Sequence, residues 1–117
     1  MLIESGAAVD SVDRFNRTPL SRAAQEGHET VVKMLIDNGA MVDSVNRNGQ
    51  KPLSLAAGGG HETVVKLLID NGAAVDSVDR YSRTPLSRAA QEGHETVVKM
   101  LIDNGATLNL VDKVNRT

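Results

Sequence analysis

A proline recurs at positions 19, 52 and 85, a step of 33 residues, and two other marks keep the same step. The pairs Gly27-His28, Gly60-His61 and Gly93-His94 follow it, as do Gly39, Gly72 and Gly105. A fixed period of this size restricts the chain to one kind of architecture, a small supersecondary unit repeated so that each copy leans on the next. Three complete units run over residues 13–45, 46–78 and 79–111. Residues 1–12 read as the tail of a fourth unit and residues 112–117 as the start of a fifth. The whole of 1–117 is therefore one repeat domain with the look of a stretch of a longer array. Residues 17–40 and 83–106 are identical.

Each unit spells two short helices and an extended turn. Thr18 suits an N-cap and Pro19 the first helical position, where no N–H is needed. Leu20, Ala23 and Ala24 then fall at i, i+3 and i+4, one apolar stripe that ends near Gly27. A second helix spans roughly residues 29–38, with Val31, Val32, Leu35 and Ile36 on its buried side. Asn38-Gly39 closes it, with glycine taking the left-handed conformation. The segment that follows alternates Val and Asp and reads as an extended loop or β-like finger. Neither helix reaches the ~12 residues that an isolated helix needs in water, so stacking must supply the missing surface. Phe15 and Tyr81 are the only aromatic residues and there is no tryptophan. The core is therefore expected to consist of thin layers of Ala, Val, Leu and Ile.

Composition removes several function classes. A net charge of −2 argues against a general nucleic-acid binder, which needs excess cations to neutralise phosphates. The chain has no cysteine, hence no disulfide framework and no thiolate metal site. No apolar run approaches the ~18 residues of a membrane span, and Met1-Leu2-Ile3-Glu4 does not resemble a secretory signal. The expected setting is intracellular and cytoplasmic, without membrane contact. The sequons at Asn16 and Asn115 are read as coincidences of the repeat.

The string Arg17-Thr18-Pro19-Leu20-Ser21-Arg22-Ala23-Ala24, followed by Gly27-His28-Glu29 and by Val31-Val32-Lys33-Met34-Leu35-Ile36, closely resembles the ankyrin repeat. The likeness covers nearly all of the chain. It implies an all-α solenoid of stacked helix pairs with β-like finger turns, and a non-catalytic module that binds other proteins. The units are similar to those in the ankyrin tails of fungal NACHT-type signalling proteins and to designed ankyrin arrays. Two departures stand out. Serine occupies positions 21, 54 and 87, where the family usually has histidine. The usual finger glycine survives only as Gly49 and becomes Asn16 and Ser82 elsewhere.

Candidate chemistry resolves mostly into structure. His28, His61 and His94 sit one unit apart, about 8–10 Å if neighbouring helices pack normally, too far to converge on one zinc ion. Asp10, Asp13, Asp43, Asp76 and Asp79 lack the dense spacing of a calcium loop and read as turn caps. The serines have no histidine in a nucleophile-elbow context. No enzyme, metal or cofactor is expected. Glu29–Lys33 and its two repeats read as solvated i, i+4 pairs.

The polar stripe Arg22, Gln25 and Glu26, repeated as Arg88, Gln91 and Glu92, is different. The resemblance places it on the concave face, beside the finger residues Arg14, Phe15 and Arg17 and their counterparts Arg80, Tyr81 and Arg83. Two readings stay open at this point: a recognition stripe, with Tyr and Arg as frequent interface anchors, or a solubilising face. The second is consistent with a passive spacer or a designed scaffold, and the near-identity of units one and three favours it.

Unit two departs from its neighbours, with Leu55, Gly58 and Gly59 in the stripe and Asn48 at the aromatic finger position. Two readings are open here: a low saddle in which a partner packs against Leu55 and sets acidic groups near Arg22 and Arg88, or a unit that has drifted without selection. Lys51 in place of the capping threonine, together with the two glycines, is expected to leave the first helix of unit two the loosest interior helix. Residues 1–12 lack the rest of their unit, and Leu108, Leu110, Val111 and Val114 lack a polar cap beyond them, so either end-to-end self-association or frayed termini is expected.

Overall fold

Thr18 and Thr84 each open a helix by a reciprocal pair of hydrogen bonds. The threonine hydroxyl accepts from the N–H of Ser21 or Ser87 at 3.0 Å, and the serine hydroxyl accepts in return from the threonine N–H at 3.0 and 2.9 Å. Serine in the place of the usual histidine thus completes a capping box. In a computed structural model that describes residues 9–108, six α-helices follow from these starts. They are α1 (Pro19–Glu26), α2 (Glu29–Asp37), α3 (Pro52–Gly59), α4 (Glu62–Asp70), α5 (Pro85–Gln91) and α6 (Glu95–Asp103). The expected helix pairs and solenoid stacking are present. Helices α1, α3 and α5 form an inner row and α2, α4 and α6 an outer one. The inner row packs more closely, so the stack curves toward it.

The core is a run of thin layers. Leu20, Leu53, Val64, Val65, Leu68 and Leu101 are fully buried, with Ala24, Ala56, Ala57 and Ala89 between the inner helices. Unit two is covered on both sides, so Val64 and Val65 are both sealed. In the outer units Val31 and Val98 are only partly buried.

Three ladders run between units. The ring Nε2 of His61 lies 3.0 Å from the Gln25 carbonyl, and that of His94 lies 3.1 Å from the Gly58 carbonyl. Each ring occupies space that only glycine leaves open. A Cβ on Gly27 would stand 2.5 Å from the His61 ring, and one on Gly60 would stand 2.6 Å from His94. Both glycines also have φ near +75°, at 75° and 73°, which L side chains resist. Asp10, Asp43 and Asp76 form the second ladder, accepting from the N–H of Met41, Ala74 and Thr107 in the next unit at 3.1, 3.2 and 2.9 Å. They are inter-unit braces rather than the local turn caps expected from the sequence.

Adjacent fingers are joined by one backbone bond each, from the N–H of Arg47 to the carbonyl of Phe15 at 3.0 Å and from that of Arg80 to Asn48 at 2.9 Å. Among the described residues there is no strand, so the fingers are built from turns. Within each finger, Asp13, Asn46 or Asp79 accepts two backbone N–H bonds, for Asp13 from Phe15 and Arg17 at 2.9 Å each. Arg17 adds a 2.7 Å ion pair. The backbone bond from Arg17 and the contacts that follow it hold the Asp13 carboxyl down at about 2, against a usual 3.8. The turn carries Asn16 at φ 62° and Ser82 at φ 64° where Gly49 sits at 77°.

Lys33, Lys66 and Lys99 pair with Asp37, Asp70 and Asp103 at 3.3, 3.0 and 3.4 Å, not with Glu29, Glu62 and Glu95. A lysine stem reaches one turn in either direction, and such exposed pairs are worth little.

Helix α3 departs from its neighbours in two opposing ways. Lys51 offers no side-chain cap, and the buried Ser54 hydroxyl has no partner. Against this, all six residues from 52 to 57 are buried. Leu55, only 7% exposed, adds roughly 1.5–3 kcal/mol of burial, comparable to the capping and glycine terms that predicted a loose helix. Leu108 is 66% exposed; Leu110, Val111 and Val114, on which end-to-end association also rests, lie outside the described residues.

Three outcomes are expected. Lys51→Thr restores the box and gives Ser54 a partner, raising stability by about 1 kcal/mol in urea unfolding. Gly27→Ala carries both the left-handed penalty of about 1–2 kcal/mol and overpacking against His61 of a further ~1–3 kcal/mol. Gly93→Ala has nothing within 4 Å of the added carbon and carries only the first, so the two variants separate in the same assay. For Asp13, a carboxyl whose folded value lies below its unfolded one stabilises in full above the unfolded value. Its contribution to the first finger is therefore intact above pH 3.8 and fades as pH falls to about 2. A carboxyl NMR titration with a midpoint near the ordinary aspartate value contradicts that assignment.

Candidate functional site

The two aromatic rings stand exposed at equivalent finger positions, Phe15 at 45% and Tyr81 at 58%. Large exposed rings need a physical partner, and arginine provides it. The guanidinium groups of Arg14, Arg17 and Arg47 lie 5.6, 5.1 and 5.8 Å from the Phe15 ring centre. That of Arg83 lies 4.9 Å from the Tyr81 ring. These distances are within the range of cation–π attraction. Arg47 was missed in the sequence reading, although it holds the same place in its unit as Arg14 and Arg80 and was legible from the period. Arg80 is exposed, and Asn48 accepts a long bond of 3.4 Å from the Tyr81 hydroxyl.

Between the first two fingers and α1 lies a recess of about 310 Å³ lined by Phe15, Arg17, Gln25, Asn46, Arg47, Asn48 and Gln50. Four of these were singled out from the sequence; Asn46, Arg47 and Gln50 were not. Asn46 and Gln50 take the places that hold an Asp–Arg ion pair in the flanking units, at 2.7 Å for Asp13–Arg17 and 2.9 Å for Asp79–Arg83. Unit two thus carries a neutral version of the same contact.

The Gln50 amide is caught between opposing demands. In one orientation its oxygen accepts from Asn46 Nδ2 at 2.9 Å, and its nitrogen faces two guanidinium groups. In the other its oxygen accepts from Arg83 Nη2 at 3.2 Å and Arg88 Nη1 at 2.9 Å, while its nitrogen meets Asn46 Nδ2 at 2.9 Å. Asn46 cannot turn to help, because its oxygen already accepts the N–H groups of Asn48 and Gln50 at 2.9 Å each. Two charge-assisted bonds outweigh one neutral bond, so the second orientation is favoured.

Arg88 reaches this point by lying across Gly58, where a Cβ would stand 2.5 Å from its guanidinium. Burial, and after it the charge of Arg83, push the Arg88 guanidinium below the usual arginine range; Asp79 and Glu92 act in the opposite sense. The expected open saddle is therefore not empty. Arg88 occupies the space above Gly58, and Leu55 is covered by its own chain. Gly59 is exposed, but a Cβ there would stand 2.5 Å from His61 Nε2.

Arg22 does not face Arg88 across a saddle either. It lines a separate recess of about 570 Å³ with Arg17, Glu26, His28 and Val31, on the side of unit one away from unit two. Residues at this position lean toward the preceding unit, which for Arg88 is unit two. Gln25, Glu26, Gln91 and Glu92 are exposed along the inner row.

Charge is sorted by face. Seven of the eight arginines stand on fingers or inner helices, and the eighth, Arg116, lies outside the described residues. The outer helices carry Lys33, Lys66 and Lys99 among aspartates and glutamates, while Lys51 stands at the head of the inner helix α3. Among the described residues no group of three or more His, Asp or Glu side chains could hold a metal ion. No helix there is long and apolar enough to cross a membrane.

Comparison with known proteins agrees with this architecture. A family model described as ankyrin repeats, in three copies, matches residues 38–112. A single ankyrin-repeat model matches residues 15–47. No curated protein matches the chain. With a 33-residue unit built from a capped inner helix, an outer helix and a finger, and with family models spanning most of its length, the chain belongs to the ankyrin-repeat family.

Proposed function

We propose that this chain binds a protein partner through its inner helices and fingers, with Phe15 and Tyr81 as anchors. Ankyrin repeats are generally protein–protein interaction modules and typically non-catalytic. The observation that carries the finer reading is the pairing of each exposed ring with arginine, on the face that also gathers the other arginines. Aromatic and arginine side chains are the types that dominate binding energy in interfaces. A ring held against a guanidinium is also partly ordered before a partner arrives, which lowers the cost of fixing it. The inner stripe of Arg22, Gln25, Glu26, Arg88, Gln91 and Glu92 then supplies the polar surround. A surface that served only for solubility has no use for exposed rings. An intracellular, cytoplasmic setting belongs to the same reading.

A photo-crosslinking side chain placed at Tyr81 is expected to capture a discrete partner from cells that express the chain. Capture should be competed by unlabelled protein and fall at least tenfold in Phe15→Ala. The same probe at Lys99, on the outer row, should capture nothing comparable. Capture from Lys99 alone overturns the proposed face, and no capture from either position favours a passive spacer.

A further inference from the structure

We infer that Asn46, Gln50, Arg83 and Arg88, at the junction of units two and three, form a receptor for one carboxylate of an acidic segment of the partner. The inference rests on the concave-face reading above and names the chemistry that would dock there. Three donor groups, Asn46 Nδ2, Arg83 Nη2 and Arg88 Nη1, converge within 3.2 Å on an amide that offers a single oxygen. Whichever way Gln50 turns, a donor is left facing a donor. A carboxylate brings two oxygens and about four lone-pair directions and would relieve that deficit.

The charge balance points the same way. Arg83 is bonded through Nε to Asp79, whose side chain is 1% exposed, and Arg88 forms no ion pair among the described residues. Asp79 and Glu92 are the carboxylates that act on Arg88, while Arg83 repels it. One committed acid thus stands against two guanidinium groups. Gly58 contributes by absence, since any side chain there would meet the Arg88 guanidinium. In the flanking units the same position is Gln25 and Gln91. Planar guanidinium forks suit a carboxylate held through two bonds.

A nucleic-acid backbone fits less well. It needs a row of free cations along a groove, whereas Arg17 and Arg83 are already paired and Glu26 and Glu92 stand exposed on the same face.

The test uses a hexaglutamate peptide as probe and the arginine Nε–Hε NMR signals as readout at constant ionic strength. Saturable shifts of Arg83 and Arg88 are expected. Gln50→Glu supplies the missing oxygen from within the chain, so it should raise the thermal midpoint while weakening peptide affinity at least tenfold. Arg88→Gln should weaken affinity by a similar factor, and Lys99→Ala should leave it unchanged. Unchanged affinity in Gln50→Glu, shifts no larger than those given by sodium chloride, or tighter binding of a single-stranded oligonucleotide each overturns the proposal. Retention of the Tyr81-crosslinked partner by both Gln50→Glu and Arg88→Gln would sink the carboxylate receptor while leaving the concave-face reading standing.

Discussion

Everything in this molecule hangs on the meeting of a left-handed glycine with the histidine ring of the next unit. A pair of helices seven to nine residues long cannot bury its own apolar stripe, so each unit is stable only against a neighbour. Gly27 and Gly60 turn the chain from inner to outer helix and, lacking a Cβ, admit His61 and His94. Each ring then bonds a carbonyl at the end of the preceding inner helix, a group that has no partner inside its own helix. One contact thus sets the spacing between units, closes a helix end and seats the small-residue inner row at close range. The aspartate braces and the backbone bonds between fingers repeat the same spacing at two other points along each unit.

Unit two shows how a regular array accommodates irregular residues without losing its period. Lys51 removes a cap and strands the Ser54 hydroxyl, while Leu55 replaces an arginine with buried apolar surface. Asn46 and Gln50 put two neutral amides where the flanking units hold an ion pair. Gly58 lets Arg88 of the next unit lie down and reach Gln50. The last two changes act at one junction, between units two and three, and together they concentrate donor groups and positive charge there. The flanking units keep their local Asp–Arg pairs.

The repeat, its two helices, the capping threonines and the αL glycines were all legible in the sequence, because each depends on contacts inside a window of a few residues. The left-handed position shared by Asn16, Gly49 and Ser82 was legible for the same reason. The finger aromatics and their arginines were visible as recurring types at a fixed offset, and Arg47 could have been added by the same count. By contrast, Asp43 looks in the sequence like any turn aspartate, and only the next unit's backbone shows it to be a brace. The lysine pairing was also misjudged, since two carboxylates one turn away on either side compete on nearly equal terms.

The sequence by itself therefore determined the period, the helix pair and the all-α repeat architecture, since these follow from local capping, periodic apolar residues and turn chemistry. Only the tertiary structure decided which way each inner-helix side chain leans. Arg22, Leu55 and Arg88 occupy one register, yet one is exposed, one buried and one half-buried. The physical reason is that this position points at the preceding unit, so its surroundings are set by residues about 30 positions away: for Arg88, by Gly58 and by Gln50 with its single oxygen.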